Sequence, residues 1–111
     1  MRLAFALCLL ASPSIAQTLP QGFFDGLDCS NDFSEMALTI TGPEIRFYES
    51  LCIVSGASIV PGTTGTFRYD VTCSGEGQSW TTGLIIAPTW EDGVVVIHSD
   101  GDAIPYQRCL G

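Results

Sequence analysis

Two strand-like runs decide the fold of this chain: TFRYDVTC (66–73) and SWTTGLIIA (79–87), joined by SGEGQ (74–78). In both runs large side chains alternate with small or polar ones, which is the period of a strand with one buried face. The side chains predicted on that face are Phe67, Tyr69, Val71, Cys73, Trp80, Thr82, Leu84 and Ile86. Glycines in the connection supply the positive φ angles of a tight turn. The sequence therefore predicts an antiparallel hairpin.

Further strand-like segments lie on both sides of this hairpin. They span residues 36–41, 44–49, 52–60, 93–98 and 103–109. Turn signals separate them, among them Pro61-Gly62 and Asp100-Gly101, and Pro105 marks an edge or a bulge. About seven short strands at this spacing predict an all-β domain, either a small antiparallel barrel or a sandwich.

The N-terminal segment MRLAFALCLLASPSIAQ (1–17) has the pattern of a secretory signal peptide. Arg2 gives it a positive start, residues 3–11 form an apolar run, and SIA (14–16) offers the small residues that a signal peptidase requires. The run is far shorter than the roughly 20 residues of a membrane span, so we expect no stable anchor. The segment predicts cleavage after Ala16 and a periplasmic or secreted protein.

The rest of the chain is predicted to hold a single β domain at residues 35–111, preceded by a lead-in at residues 17–34. The lead-in, QTLPQGFFDGLDCSNDFS, is rich in turn-forming residues and has no sustained period. We expect it to be irregular, with Phe23, Phe24 and Leu27 packed against the domain.

Four cysteines follow the predicted signal peptide: Cys29, Cys52, Cys73 and Cys109. An even number in a short exported chain predicts two disulfides, each contributing about 3 kcal/mol on the chain-entropy model. A hairpin with residues 60 and 65 opposite each other would place Cys52 opposite Cys73 and leave Cys29 with Cys109. The alternative joins Cys29 to Cys52 and Cys73 to Cys109. We expect the alternative, because a cross-strand bridge is strained unless its pair geometry is favourable.

The charge balance narrows the choice of partner. The chain has 12 acidic residues against four arginines, contains no lysine, and has a formal net charge of −8. Nucleic acids and anionic lipids require clustered Lys and Arg, so we expect neither as a partner. An acidic surface keeps an exported protein soluble, which by itself explains the net charge, or it attracts a basic protein and accelerates the encounter.

No constellation of residues predicts catalysis, a cofactor or a metal. Cys73 lacks a base at recognisable spacing, since His98 is the chain's one histidine. His98, Ser99 and Asp100 are adjacent on a strand, so their side chains alternate between faces and cannot form a triad. The acids most crowded in sequence match no EF-hand loop; they are Asp25, Asp28, Asp32 and Glu35. We expect a protein that is not an enzyme.

The two tryptophans receive different predictions. Trp80 follows the core face of its strand and is expected to be buried. Trp90 lies in the connection between residues 88 and 93, beside Glu91 and Asp92. An exposed tryptophan with two carboxylates is suited to contact a basic partner, so residues 90–92 are the predicted partner-binding site.

The segments FYESLC, CSGEGQSW and YQRC resemble a group of small exported bacterial proteins that share four cysteines, a resemblance that implies no activity. The chain is also similar to the periplasmic and membrane-bound inhibitors of c-type lysozyme, which are small disulfide-tied β-barrels. SGAS (55–58) matches the opening of their Ser-Gly-x-x-Tyr motif, with Ile59 at the aromatic position. This resemblance implies an inhibitor and carries over no inhibitory residue.

These observations favour an exported, non-enzymatic binding module, an inhibitor or an accessory protein that acts on a basic partner such as a lysozyme-like enzyme. The alternative is a carrier of small apolar ligands. A carrier requires a cavity inside the barrel, whereas an inhibitor requires a filled core and a protruding loop.

Overall fold

The computed structural model describes residues 18–27, 29–30, 34–89 and 91–109. The predicted signal peptide lies outside the described residues. The strands are β1 (Gly22–Asp25), β2 (Ala37–Thr41), β3 (Glu44–Arg46), β4 (Leu51–Ile59), β5 (Phe67–Gly75), β6 (Gln78–Pro88), β7 (Val94–Ile97) and β8 (Ala103–Arg108).

These strands form a closed antiparallel barrel in sequence order. Each strand pairs with the next along the chain, and β8 returns to β1, with Phe24 opposite Arg108. The prediction of an all-β fold with two disulfides is therefore confirmed. The architecture is a barrel, with eight strands where the sequence indicated about seven.

The additional strand is β1, which lies inside the segment expected to be irregular. It is four residues long and contains a glycine, so it offers too few positions to show a period in sequence. Phe24 is fully buried there, as expected, whereas Phe23 is 40% and Leu27 75% exposed. The expectation that all three pack against the barrel was wrong for Phe23 and Leu27.

The core fills the inside of the barrel with alternate residues of the strands. The largest side chains that are fully buried are Tyr69, Phe24, Leu19, Leu38, Ile40, Ile45, Ile86, Val71 and Val96. The predicted buried face of the central hairpin is confirmed for Tyr69, Val71, Leu84 and Ile86. Burial raises the pKa of Tyr69, and the side-chain hydrogen bond with the Thr18 hydroxyl lowers it in part. The Tyr69 hydroxyl also donates a hydrogen bond to the Thr18 carbonyl at 2.9 Å.

The register of β4 and β5 explains the disulfide pairing. Cys52 lies directly opposite Cys73, as the hairpin argument required, and a bulge between Val54 and Gly56 then shifts the register by one residue. The sequence argument placed residues 60 and 65 opposite each other. Because of the bulge, residue 60 instead pairs with residue 66, and the Val60 N–H donates to the Thr66 carbonyl.

The disulfides are Cys52–Cys73 and Cys29–Cys109, so the preferred pairing of cysteines adjacent in sequence was wrong. The tight turn of β5 and β6 makes Gly75 and Gln78 a hydrogen-bonded pair, and alternation along the ladder then makes Cys52 and Cys73 a non-hydrogen-bonded pair of β4 and β5. In such pairs the side chains lie closest, and here the Cα atoms are 3.9 Å apart. The sequence analysis rejected a cross-strand disulfide unless its pair geometry was favourable, and at Cys52 and Cys73 that geometry is favourable.

The two ends of the barrel have different connections. We call the arginine end the one that carries residues 18–21, 42–43, 60–66, 89 and 91–93, with Arg108 at the end of β8. We call the acidic end the one that carries residues 47–50, 76–77 and 98–102 and residues 34–36 of the β1–β2 connection.

The arginine end is closed by Arg108. Its guanidinium lies 4.7 Å from the centre of the Phe24 ring and donates to the Gln21 carbonyl. Its Nε is 2.8 Å from an Asp92 carboxylate oxygen without pointing along a hydrogen bond, so this contact is an ion pair. The positive charge of Arg108 is thus compensated at the end of the barrel where the core would otherwise be exposed to solvent.

Candidate functional site

The acidic end has a step in the barrel wall. Strands β5 and β6 continue to a turn at Glu76 and Gly77, whereas β7 pairs with β6 only from Ile85 onward. The β7–β8 connection, residues 98–102, therefore ends well below the β5–β6 turn. The inner face of the longer wall is left open to solvent above this step.

Trp80 occupies the open inner face. It lies opposite Cys73 and on the same side of the sheet, as the alternation predicted, yet it is 42% exposed. The expectation that Trp80 is buried was wrong, because no described strand continues β7 to cover it. Alternation along a strand identifies the face on which a residue lies, but it does not show whether the neighbouring strand extends far enough to cover that residue.

A groove of about 480 Å³ fills the step. Its lining combines an aromatic ring, threonines, a histidine and carboxylates: Trp80, Thr81, Thr82, Leu84, His98, Ser99, Asp100, Asp102 and Ile104. Aromatic rings and carboxylates both attract cations. The groove can therefore accept a side chain with an apolar stem and a positive head, such as that of Arg or Lys.

A second groove, of about 390 Å³, also lies at the acidic end. It is lined by Glu35, Met36, Ala37, Phe47, Tyr48, Glu49 and Tyr106. Tyr48 is 55% exposed, so a second aromatic ring faces solvent beside carboxylates. Phe47 lines this groove and contacts His98, which lines the other, with their ring centres 5.7 Å apart.

Glu49 and Glu76 form a pair of like charges. The side-chain hydrogen bond with Glu76 raises the pKa of Glu49, and the negative charge of Glu76 raises it further, followed by desolvation and the charge of Glu35. Two neighbouring ionised carboxylates repel each other, so an added cation would stabilise this part of the surface.

The backbone brings these two residues together. A Cβ atom at Gly75 would clash with the Glu49 carbonyl oxygen and with Ser50, so glycine allows the 47–50 connection to touch the β5–β6 hairpin. Glu76 adopts φ = 51°, in the left-handed region. Turns of this type favour Asn, Asp or Gly at that position, so local backbone preference does not explain the glutamate.

His98 does not join a triad in the part of the chain that the structure describes. Its backbone N–H donates to the Asp102 carbonyl at 2.8 Å, and its ring contacts Phe47. The Asp100 carboxylate accepts the Asp102 N–H at 3.0 Å. These bonds shape the turn after β7, consistent with the predicted position of His98 at the end of a strand.

The described residues of the predicted partner-binding site, Glu91 and Asp92, lie near the arginine end. Trp90 is outside the described residues. Glu91 is exposed and lines a groove of about 260 Å³ with Asp25 and Pro105, and Asp92 is exposed and forms the ion pair with Arg108. The role of these three residues in binding stays a prediction.

Asp25 supports the start of the β1–β2 connection. Its Oδ1 accepts hydrogen bonds from the Leu27 N–H at 2.8 Å and from the Ser34 hydroxyl at 2.9 Å. Asp28 and Asp32, two of the acids compared above with an EF-hand loop, lie outside the described residues. Over the described ranges, no group of three or more His, Cys, Asp or Glu side chains could hold a metal ion.

The disulfides bear on the compartment in which the protein folds. Two disulfides indicate an oxidising compartment, as found outside the cell or in the periplasm. Among the residues that the structure describes, no helix is long and apolar enough to cross a membrane.

Comparison with known proteins adds no relative. No protein-family model matches the chain, and neither a curated protein nor a solved structure matches it.

The sequence did not single out Trp80, Tyr48 or the Glu49–Glu76 pair. One signal was present: a glutamate between two glycines at a hairpin tip, where Asn or Asp would stabilise the turn better. The contact with Glu49 depends on the close approach of two connections, which spacing alone cannot show.

Proposed function

We propose that this protein is an exported, non-enzymatic binding module that recognises a basic protein through its acidic end. The observation that carries the proposal is the grouping of carboxylates and exposed aromatic rings at that end. Its members are Glu35, Glu49, Glu76, Asp100, Asp102, Tyr48 and Trp80.

The positions of the described arginines support this polarity. Arg108 is compensated at the opposite end. Arg46 and Arg68 are exposed next to buried neighbours of their strands, so their side chains point away from the barrel interior. Arg68 also pairs with Asp70 at 3.2 Å. Arg46 ends β3 next to the acidic end, but no ion pair joins it or another described arginine to the carboxylates there. A basic partner at the acidic end therefore meets carboxylates that form no ion pair with a described arginine.

Two further features agree with an inhibitor or accessory protein. The hairpin tip at residues 76–77 projects beyond β7, and the core of the described barrel is filled by large side chains such as Tyr69 and Phe24. A carrier of apolar ligands would need that interior space for its ligand, so no observation favours the carrier. Export itself rests on the signal-peptide pattern and agrees with the disulfides.

The test uses the oxidised protein, expressed from its full gene and immobilised, with two basic proteins as analytes: a c-type lysozyme and cytochrome c. Binding is measured at low salt and at about 150 mM salt, where exposed charges are screened beyond about 8 Å. We expect at least one analyte to be retained at the higher salt concentration.

Two matched double variants locate the surface. Glu49→Gln with Glu76→Gln removes two charges from the acidic end, and Glu44→Gln with Glu91→Gln removes two from the arginine end. The first should weaken binding about tenfold and the second much less. Equal losses would show general attraction without a site, a larger loss in the second would favour residues 90–92, and no retention of either analyte would refute the proposal.

A further inference from the structure

The groove beside Trp80 borders an unpaired strand edge. Strand β6 pairs with β5 along Gln78–Ile86, but with β7 only from Ile85. Within the described residues, no other backbone hydrogen bond reaches residues 78–84 on the β7 side. About seven residues, roughly 20 Å of strand, thus present an open edge.

The ladder fixes which groups this edge offers. Since Gly75 and Gln78 are a hydrogen-bonded pair, Trp80, Thr82 and Leu84 direct their N–H and C=O groups to β5. Ser79, Thr81 and Gly83 therefore direct theirs to the open side. Ile85 continues this alternation, because it is the next residue to point that way and it lies opposite Ile97 of β7.

We infer that an extended segment of the basic partner adds to this edge as a further strand, in the position that β7 would occupy if it continued. The inference rests on the proposed function and states how the partner is held. Main-chain hydrogen bonds to Ser79, Thr81 and Gly83 supply register, and alternate side chains of the segment enter the groove.

The chemistry of the groove sets the side chains of the segment. The side chains that enter the groove are those of alternate residues, so they share one face of the segment. Cationic side chains on that face would meet Trp80, Asp100 and Asp102 with their charged heads, and Leu84 and Ile104 with their apolar stems. Strand addition alone is indifferent to sequence, since the backbone is the same everywhere. The carboxylates and the exposed indole provide the selection for positive charge.

The open edge of β6 also lacks the features that prevent pairing at the other strand edges, those of β4 and β8. Strand β4 runs on past β3 but carries the bulge at Val54 and Gly56, and β8 runs on past β1 at Pro105, which has no N–H. Bulges and prolines both prevent an edge from pairing. The stretch QSWTTGL (78–84) has no charge, proline or bulge.

A second copy of the chain is a poorer occupant. Edge-to-edge pairing of two β6 strands would bring together two chains that each carry a formal net charge of −8, with Asp100 and Asp102 of both copies near the junction. Like charges oppose that arrangement, whereas a cationic segment relieves the repulsion.

The test uses the full oxidised protein and three synthetic peptides of about nine residues, long enough to pair with the whole edge. All three alternate valine and arginine; one is unmodified, one is N-methylated at every valine and one at every arginine. In a strand, alternate residues form hydrogen bonds on opposite edges, so one methylated peptide loses the edge that pairs with β6. We expect that peptide to bind at least tenfold more weakly than the other two.

Amide hydrogen exchange identifies the edge directly. In the free protein the amides of Ser79, Thr81 and Gly83 should exchange quickly, and the unmodified peptide should slow their exchange at least tenfold. The amides of Trp80 and Thr82 already pair with β5 and should change little.

A matched pair of proline variants checks the same geometry. Thr81→Pro removes the central N–H of the open edge without breaking a bond to β5, and should reduce peptide affinity at least tenfold. Ala57→Pro makes the equivalent change on the open edge of β4, where Ala57 lies opposite Tyr69 in a non-hydrogen-bonded pair. It should leave peptide affinity unchanged.

The outcomes separate this inference from the proposed function. If both methylated peptides bind as well as the unmodified one, with no new protection at Ser79, Thr81 and Gly83, strand addition is wrong while charge recognition at the acidic end survives. Protection of those amides without peptide, in a dimer that forms with concentration, would assign the edge to a second copy and overturn the inference. If neither the peptides nor the basic proteins bind, both proposals fail.

Discussion

The two ends of this barrel treat charge in opposite ways. At the arginine end, Arg108 covers Phe24, pairs with Asp92 and donates to a backbone carbonyl, so its charge is satisfied within the chain. At the acidic end, Glu49 and Glu76 repel each other and lie near Glu35.

The aromatic residues follow the same division. Phe24 is fully buried beneath Arg108, while Trp80 and Tyr48 face solvent at the acidic end. One end is thus built to close the core, and the other carries features that cost stability without closing anything. Features that lower stability in this way agree with the binding role proposed for the acidic end.

The largest expected effect concerns the closed end. Arg108→Ala removes the cation–π contact with Phe24, the hydrogen bond to Gln21 and the ion pair with Asp92, and should lower the free energy of unfolding by about 2 kcal/mol. Chemical denaturation of the oxidised protein measures it. Arg68→Ala is the control: its exposed pair with Asp70 should be worth less than about 1 kcal/mol. Equal losses of unfolding free energy in the two variants would contradict the view that Arg108 caps the core whereas Arg68 is only a surface charge.

A smaller effect of opposite sign is expected at the open end. Glu76→Asn places the preferred residue at φ = 51° and relieves the repulsion with Glu49, so it should raise the free energy of unfolding by about 1 kcal/mol. The same variant should weaken binding to the basic analyte.

The control for that variant is Glu76→Gln, which removes the charge without improving the turn. It should weaken binding as much as Glu76→Asn but gain less stability. A Glu76→Asn variant that is less stable than the native protein would show that the glutamate supports the fold, and the comparison of the two ends would fail.

The smallest effect is a dependence on pH. Because the pKa of Glu49 is raised in the folded protein, the folded chain binds more protons than the unfolded chain between the ordinary glutamate pKa and the raised one. Stability therefore falls as pH rises through that window. Glu49→Gln should melt at a higher temperature than the native protein at neutral pH, and the difference should disappear below about pH 4.

Salt provides the check on this effect. Glu49 and Glu76 are at the surface, so high salt should reduce the difference in melting temperature between Glu49→Gln and the native protein. A difference that is constant across pH and salt would have another origin than the like-charge pair.

Much of the fold could be predicted from sequence because a β-strand with one buried face shows alternating apolar and polar residues. The seven predicted strands are all present with ends shifted by a few residues, and the buried alternation of Tyr69, Val71, Leu84 and Ile86 is that of the structure. The register that placed Cys52 opposite Cys73 was also available. The pairing was missed because the prediction did not use the two-residue turn, which fixes which pairs are hydrogen-bonded.

The candidate site could not be predicted in the same way. Its properties depend on where strands end relative to their neighbours: Trp80 is exposed because β7 stops, and Glu49 meets Glu76 because two connections touch at Gly75. Strand ends are set by the competition between pairing and turn formation, which a periodic pattern does not record. The predicted site at residues 90–92 was chosen from composition alone and remains untested.

The Cys29–Cys109 disulfide joins residues 80 positions apart, and strands β2 to β8 all lie between them. A pulling force applied to the chain just before Cys29 and just after Cys109 would pass through this sulfur bridge, and the covalent loop that holds seven of the eight strands would bear no tension. The part of the chain between these two cysteines is therefore mechanically a closed ring. A partner bound to the β5–β6 hairpin would hold a part of the ring that lies off the line of force between the two cysteines.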